Sequence, residues 1–140
     1  MLGRKKLFLI INLVFFLSGC GNLTRLRECE KLASIGTELA NQTMPNLLEK
    51  DQEIIYLFQQ QFLTTSEQIN NENWRDSKIL DYSSNLSQIY QEYGTLTQEF
   101  ISALHRKERE KALSIQTKLN DLGTKQVQIV EEINNYCQVN

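Results

Sequence analysis

The sequence predicts an all-α protein, with an up-down-up-down four-helix bundle as its architecture. The 140-residue chain has one proline, Pro45, and its six glycines never cluster, so it lacks the turn-rich segments of β proteins. Apolar residues recur at helical spacing over most of its length. Cys29 and Cys137 lie near opposite ends of the chain, and an even number of antiparallel helices would bring them together.

The N-terminal 20 residues have the features of an export signal. Basic residues at positions 4–6 precede an apolar run over residues 7–17. This run has the length of a secretory h-region and is too short to span a bilayer as a mature helix. Residues 17–20, Leu-Ser-Gly-Cys, resemble the lipobox of bacterial lipoproteins, in which the leader is cut before the cysteine and that cysteine is acylated. The resemblance covers residues 1–20 only.

This resemblance implies a division of the chain and a location. Residues 1–19 would be the lipoprotein signal peptide, 20–22 the lipidated N-terminus with a short tether, and 23–140 the helical bundle domain. Acyl chains on Cys20 would anchor the protein to the cell membrane or outer membrane, facing the periplasm or the exterior. Gly21 in place of aspartate after the cysteine implies sorting to the outer membrane in two-membrane bacteria. An ordinary signal peptide or an uncleaved anchor is the alternative.

The charge of the mature chain limits the classes of partner. Removing residues 1–19 takes three of the 15 basic residues, which leaves 12 basic against 17 acidic residues. Nucleic acids and anionic headgroups both require clustered cations, so neither is expected to be the main partner. Attachment to the membrane is therefore assigned to the lipid.

Cysteine usage agrees with export. With Cys20 assigned to lipid, Cys29 and Cys137 form an even pair in an oxidising compartment, which predicts a disulfide, with two free buried thiols as the alternative. A metal site is not expected, because two isolated cysteines and the one histidine, His105, lack ligand spacing.

The first two helices are predicted over residues 23–43 and 46–70. Their heptad positions hold, in the first set, Leu26, Ala33, Ala40 and Leu47, and in the second, Leu48, Ile55, Phe62 and Ile69. The register slips at Pro45, which removes a backbone donor and crowds the preceding turn, so we expect a break within residues 43–46. The alternative is a continuous kinked helix, which would give a three-helix bundle with a long first helix.

The third helix is predicted over residues 76–104, where two coiled-coil-like sets of apolar residues interleave. They are Ile79, Leu86, Tyr93 and Phe100, and Tyr82, Ile89, Leu96 and Ala103. A helix of this length measures about 44 Å. The asparagine-rich segment before it predicts a loop that ends with Asp76 or Ser77 as the N-cap.

The fourth helix is predicted over residues 108–137, after a tight turn near 105–108. Continuing the third-helix heptad would place Lys107 and Glu110 in the core, whereas apolar positions restart in a shifted phase from Ala112. One helix of about 60 residues is the alternative. In a four-helix bundle Cys29 and Cys137 would meet at one end, whereas in a three-helix bundle they would lie about 40 Å apart.

A few residues stand out as candidates for structural or binding roles. Trp74 lies in the polar loop and is either a plug over the bundle end or a contact residue for a partner. Ala33, Gly36 and Ala40 give the first helix a narrow face that permits close approach of a neighbour, or of another chain. Gln126 falls at a predicted core position, where its amide needs partners.

No catalytic residue, metal or cofactor is predicted. His105 falls at a helix C-terminus, where a solvated cap is its ordinary role, and no nucleophile is placed beside it. Met44 and His105 are a weak pair for haem, because Met44 adjoins Pro45 and no covalent haem motif is present.

These observations predict a non-enzymatic protein. Its expected role is that of a binding or scaffold module for another envelope or membrane component, with a protein in the envelope as the partner. The alternative is a bundle that binds a small apolar ligand or cofactor between its helices.

Overall fold

The protein is an all-α four-helix bundle, as the sequence predicts. A computed structural model describes residues 3–43 and 52–138, with the side chains of residues 21–42 and 55–138. The helices are α1 (Gly3–Thr43), α2 (Gln52–Asn71), α3 (Ser77–His105) and α4 (Arg109–Cys137). Within these described ranges no residue is in a β-strand. Successive helices run antiparallel.

The first two helices are separate, so the alternative of one kinked helix is wrong. Lys31 of α1 forms an ion pair with Glu72, which directly follows α2. Gln42, near the end of α1, lines a shallow groove with Leu57, near the start of α2. The two helices therefore run antiparallel. The predicted break at Pro45 and the predicted start of the second helix at residue 46 lie outside the described residues.

α1 begins earlier than the sequence predicts. It starts at Gly3 instead of near residue 23, and residues 20–22, expected to form a tether, lie within it. The leader contains no proline and few polar residues, and adding residues to a formed helix costs less than nucleating a new one. In the described part of the chain, none of the helices has a stretch long and apolar enough for a membrane crossing.

The boundaries of α3 and α4 match the prediction to within one residue. The side chain of Asp76 accepts hydrogen bonds from the backbone N–H groups of Lys78 and Ile79, both at 3.0 Å, which is the predicted N-cap. α3 ends at His105, and the predicted turn before α4 contains Lys107 with φ of 58°.

The main core lies where all four helices meet. Its buried apolar residues include Leu32 and Ile35 of α1, Ile69 of α2, Ile79, Leu86 and Tyr90 of α3, and Ile133 of α4. A smaller cluster of Ala103, Ala112 and Ile115 joins α3 to α4 near their connecting turn. The heptad positions of α3 and α4 therefore face the interior, as predicted.

Small residues let α2 and α3 pack closely. The hydroxyls of Ser66 and Ser87 lie 2.9 Å apart in the interface, and Ser87 also donates to the Ser66 carbonyl at 3.1 Å. A Cβ atom at Gly94 would approach Leu63 Cδ2 to 2.6 Å, so any larger residue there would require Leu63 or the helices to shift. These contacts fix the position of α3, against which α1 and α4 also pack.

Candidate interaction groove

A disulfide joins the first helix to the last at one end of the bundle. The structure contains the predicted Cys29–Cys137 bond, with Cα atoms 5.8 Å apart. Cys29 is buried and Cys137 is half-buried. The covalent link fixes α1 beside α4 at the end where α2 meets α3.

Glu28 fastens the same end through hydrogen bonds. Its buried carboxylate accepts the backbone N–H groups of Arg75 and Asp76, at 2.8 and 3.0 Å. The Asp76 carboxylate in turn accepts the hydroxyl of Tyr136 on α4, at 3.0 Å. Burial raises the pKa of Tyr136, and Asp76 raises it further. The network therefore connects α1, the α2–α3 loop and α4.

Trp74 closes this end of the bundle. Its side chain is buried, and the indole N–H donates to the carbonyl of Ile69 at 3.0 Å. Of the two predicted roles, a plug over the bundle end or a contact residue for a partner, this arrangement corresponds to the plug. The surface that Trp74 could offer to a partner is correspondingly small.

Away from the disulfide, α1 and α4 enclose an open groove of about 360 Å³, here called the α1–α4 groove. Ala33, Gly36 and Ala40 line its α1 wall, Val130 and Ile133 line its α4 wall, and Leu86, Tyr90 and Gln126 form the floor. Among the described residues that line it, none has a charged side chain. The groove therefore presents an uncharged, mainly apolar surface to its surroundings.

The small-residue face of α1 does not meet a close neighbour inside the bundle. A Cβ atom added at Gly36 would have nothing within 4 Å. The prediction of close approach within the bundle is therefore wrong at this position. The physical reason is that Leu32, Ile35 and Leu39 turn toward the core and α1 packs mainly against α2, so that its small residues face the gap toward α4. Use of this face by another chain stays a prediction.

The floor of the groove contains one polar pair. Tyr90 is 3% exposed, and the side chain of Gln126 hydrogen-bonds to its hydroxyl. Burial, followed by the nearby Tyr93, raises the pKa of Tyr90 to about 12, although the hydrogen bond from Gln126 lowers it. Tyr90 is therefore neutral at physiological pH. Gln126 has the partner that its predicted core position required.

The other predicted site residues are not brought into this groove. His105 is exposed at the end of α3. Met44 and the side chain of Cys20 lie outside the described residues. No group of three or more histidine, cysteine, aspartate or glutamate side chains in the described ranges is placed to hold a metal ion.

Sequence reasoning missed Tyr90 and Glu28. The prediction assigned only two heptad positions of α3 to the core, which suits a helix with one partner. α3 packs against three helices and therefore buries a wider face. Tyr90, four residues after Leu86, lies on that wider face. Glu28 adjoins Cys29 on the buried face of α1, and a carboxylate in such a position signals a hydrogen-bonding role.

Comparisons with known proteins found no match for this chain among protein-family models, curated proteins or solved structures. Its function is therefore inferred from its own residues and their arrangement.

Proposed function

We propose that this protein is a lipid-anchored, extracytoplasmic helical bundle that acts as a binding or scaffold module for another envelope or membrane component. The observation that supports this role best is the α1–α4 groove. It lies open between α1 and α4, and its wall of small residues leaves room for side chains of a partner. Uncharged, largely apolar grooves are typical of binding surfaces.

The position of Cys20 supports a scaffold role. It precedes Cys29 by nine residues on the same helix, a rise of about 13 Å. The disulfide then joins that helix to α4. A lipid on Cys20 would thus be connected to the bundle through continuous helix, and a partner bound to the bundle would stay at a set distance from the membrane.

The disulfide supports an extracytoplasmic location. Cys29 and Cys137 are 108 residues apart in sequence, and such structural disulfides persist in oxidising compartments. The basic and apolar leader, with its lipobox-like end, would supply the route of export.

A second candidate function is the binding of a small apolar ligand. The groove volume of about 360 Å³ lies at the lower end of the range for small-molecule sites. Tyr90 and Gln126 would orient a ligand through one hydrogen bond at the floor. Mass spectrometry of the natively purified protein tests this candidate: a bound small molecule that is lost in Gly36→Leu would favour it over a protein partner.

The lipid anchor is tested on the natively expressed protein. Mass spectrometry should find the chain starting at Cys20 with acyl chains attached, and Cys20→Ser should release the protein from the membrane fraction. An intact leader with an unmodified Cys20 would contradict the proposal.

The groove is tested by filling it. Gly36→Leu places a large side chain in open space, so we expect the fold to persist and a complex crosslinked in native membranes to be lost. Ser34→Leu is the matched control, because it adds the same side chain at an exposed position of α1 outside the groove. Recovery of the same complex with both variants would contradict a role for the groove.

A further inference from the structure

The turn between α3 and α4 forms a basic end on an otherwise acidic domain. This end, residues 104–113, is called the α3–α4 tip. Four basic residues, Arg106, Lys107, Arg109 and Lys111, lie there against two glutamates, Glu108 and Glu110. The four basic residues are all exposed. The tip is also distant from the disulfide end, because the 29-residue helix α3 that separates them measures about 44 Å.

An apolar cleft of about 370 Å³ lies beside these charges. It is lined by Phe100, Ala103, Leu104, Ala112 and Leu113, together with Gln116 and three charged residues of the turn, Lys107, Glu108 and Arg109. Leu104 is 50% exposed and Leu113 is 54% exposed. Two large apolar side chains therefore stand open to solvent next to two cations.

The two cations at the cleft are available for a partner. Glu108 forms ion pairs with Arg106 at 3.3 Å and with Lys111 at 3.9 Å. By contrast, within the described ranges neither Lys107 nor Arg109 has a carboxylate at salt-bridge distance. An anionic group placed over the cleft would meet both of them.

The backbone at Lys107 shows that the turn itself does not require a lysine. Its φ of 58° lies in the left-handed region, which glycine adopts without strain and lysine does not. A helix C-terminus of this geometry usually has glycine or asparagine. Lys107 therefore occupies a position where the backbone conformation favours glycine or asparagine.

We propose that the α3–α4 tip binds an acidic amphipathic segment of a protein partner. Apolar side chains of that segment would enter the cleft between Leu104 and Leu113. Its carboxylates would accept hydrogen bonds from Lys107 and Arg109, which are stronger than bonds between neutral groups. This inference deepens the proposed function and rests on it for the existence of a partner, but it concerns a surface at the far end from the disulfide.

Charge favours a protein segment over a lipid surface. Recognition of anionic membranes uses clusters of about four to eight basic residues. The tip has four, but Arg106 and Lys111 are paired with Glu108, so only Lys107 and Arg109 stand outside the ion pairs of the described residues. The cleft is short and has two cations beside it, Lys107 and Arg109. It therefore matches a protein segment with a few apolar side chains flanked by carboxylates.

The proposal is tested with the full-length protein in detergent micelles. The probe is a labelled helical peptide with leucines on one face and glutamates beside them, and its binding is followed by fluorescence anisotropy. A matched peptide with lysine in place of each glutamate is the first control. We expect the glutamate peptide to bind and the lysine peptide not to bind.

Variants separate binding from folding. Lys107→Gly removes a cation and relieves the positive φ, so the midpoint of unfolding should rise while binding weakens about tenfold. Arg109→Gln should weaken binding to a similar extent, and Leu104→Ser with Leu113→Ser should abolish it. Lys118→Gln, which removes an exposed cation of α4 outside the tip, should leave binding unchanged.

Several outcomes would overturn the proposal. They are equal binding of the two peptides, no effect of the tip variants, and no binding at about 1 mM peptide. Preferential binding of vesicles that contain phosphatidylglycerol over the glutamate peptide would assign the tip to a lipid surface and would overturn it too. None of these results depends on the acylation of Cys20 or on Gly36→Leu, so failure here is distinct from failure of the proposed function.

Discussion

Glu28 shows how a single buried carboxylate can organise one end of a bundle. Its two oxygens accept two backbone N–H groups that no helix satisfies, because Arg75 and Asp76 lie in the loop just before α3. Leaving such donors without partners when buried costs about 1 to 3 kcal/mol each.

Replacing Glu28 should therefore destabilise the protein. We expect Glu28→Ala to lower the free energy of unfolding by about 2 kcal/mol. Glu28→Gln keeps one acceptor oxygen and should lose less. Urea unfolding followed by circular dichroism measures both. Glu30→Ala, at an exposed position two residues away, is the control and should change stability little; an equal loss from both alanine variants would contradict the role of Glu28.

Because of Tyr90, the free energy of unfolding should depend on pH in the alkaline range. Burial raises its pKa from 10.0 to about 12, so the folded state holds the phenolic proton more tightly than the unfolded chain. The contribution to stability is complete below pH 10 and is lost as the pH rises toward 12. The loss for this group is about 3 kcal/mol.

Tyr90→Phe tests this dependence. The variant should lose part of the fall in unfolding free energy above pH 10, which can be measured by chemical unfolding at a series of pH values. Tyr56→Phe, at an exposed tyrosine, is the comparison. Identical alkaline profiles for the Tyr90 variant and the unaltered protein would show that Tyr90 is not responsible.

At the scale of helices, two glycines have opposite roles. Gly94 lies against α2, where an added Cβ would approach Leu63 Cδ2 to 2.6 Å and Leu63 Cγ to 2.7 Å. Gly36 lies over the α1–α4 groove, with open space around it. Both are helical, so alanine at either position gains helix propensity of up to about 1 kcal/mol.

The two alanine variants should therefore shift stability in opposite directions. Gly36→Ala should stabilise the protein by about 0.5 to 1 kcal/mol. Gly94→Ala should destabilise it by about 1 to 3 kcal/mol, because α2 and α3 must separate or Leu63 must move. Thermal unfolding compares them directly. Restoration of stability in the Gly94→Ala, Leu63→Ala double variant would identify the contact, whereas stabilisation by Gly94→Ala alone would refute it.

At the scale of the whole molecule, α1 is the helix most dependent on the disulfide. α2 packs extensively on α3, and α3 on α4, whereas α1 borders an open groove for part of its length. The Cys29–Cys137 bond joins residues 108 positions apart and so closes a long loop that contains α2 and α3. The chain-entropy model assigns a loop of this size about 4.7 kcal/mol, and removal of native disulfides costs about 2 to 5 kcal/mol.

Removing the disulfide should loosen α1 before the other helices. In the Cys29→Ser, Cys137→Ser variant we expect hydrogen exchange to accelerate at the backbone amides of α1, with smaller changes in α3. Hydrogen exchange followed by mass spectrometry measures each helix in one experiment. Uniform acceleration in all four helices would show instead that the bundle opens as a single unit.

The amino-acid sequence by itself determined the number of helices, the loop before α3, the turn after it and the cysteine pair. These features follow from local signals: apolar spacing, the Asp76 cap, and the charged residues that interrupt the heptad near residue 107. Local signals act within one or two helical turns, so they can be recognised without knowing which helices are neighbours.

Only the tertiary structure decided which surfaces stay open. The small face of α1 was expected to permit a close neighbour within the bundle, but the seating of Leu32, Ile35 and Leu39 on the core turns it toward a groove. Glu28 and Tyr90 acquire their roles from residues 47 and 36 positions away, Arg75 and Gln126. Pairings over such distances depend on how the helices rotate and tilt against each other, which the spacing of residues along one helix does not specify.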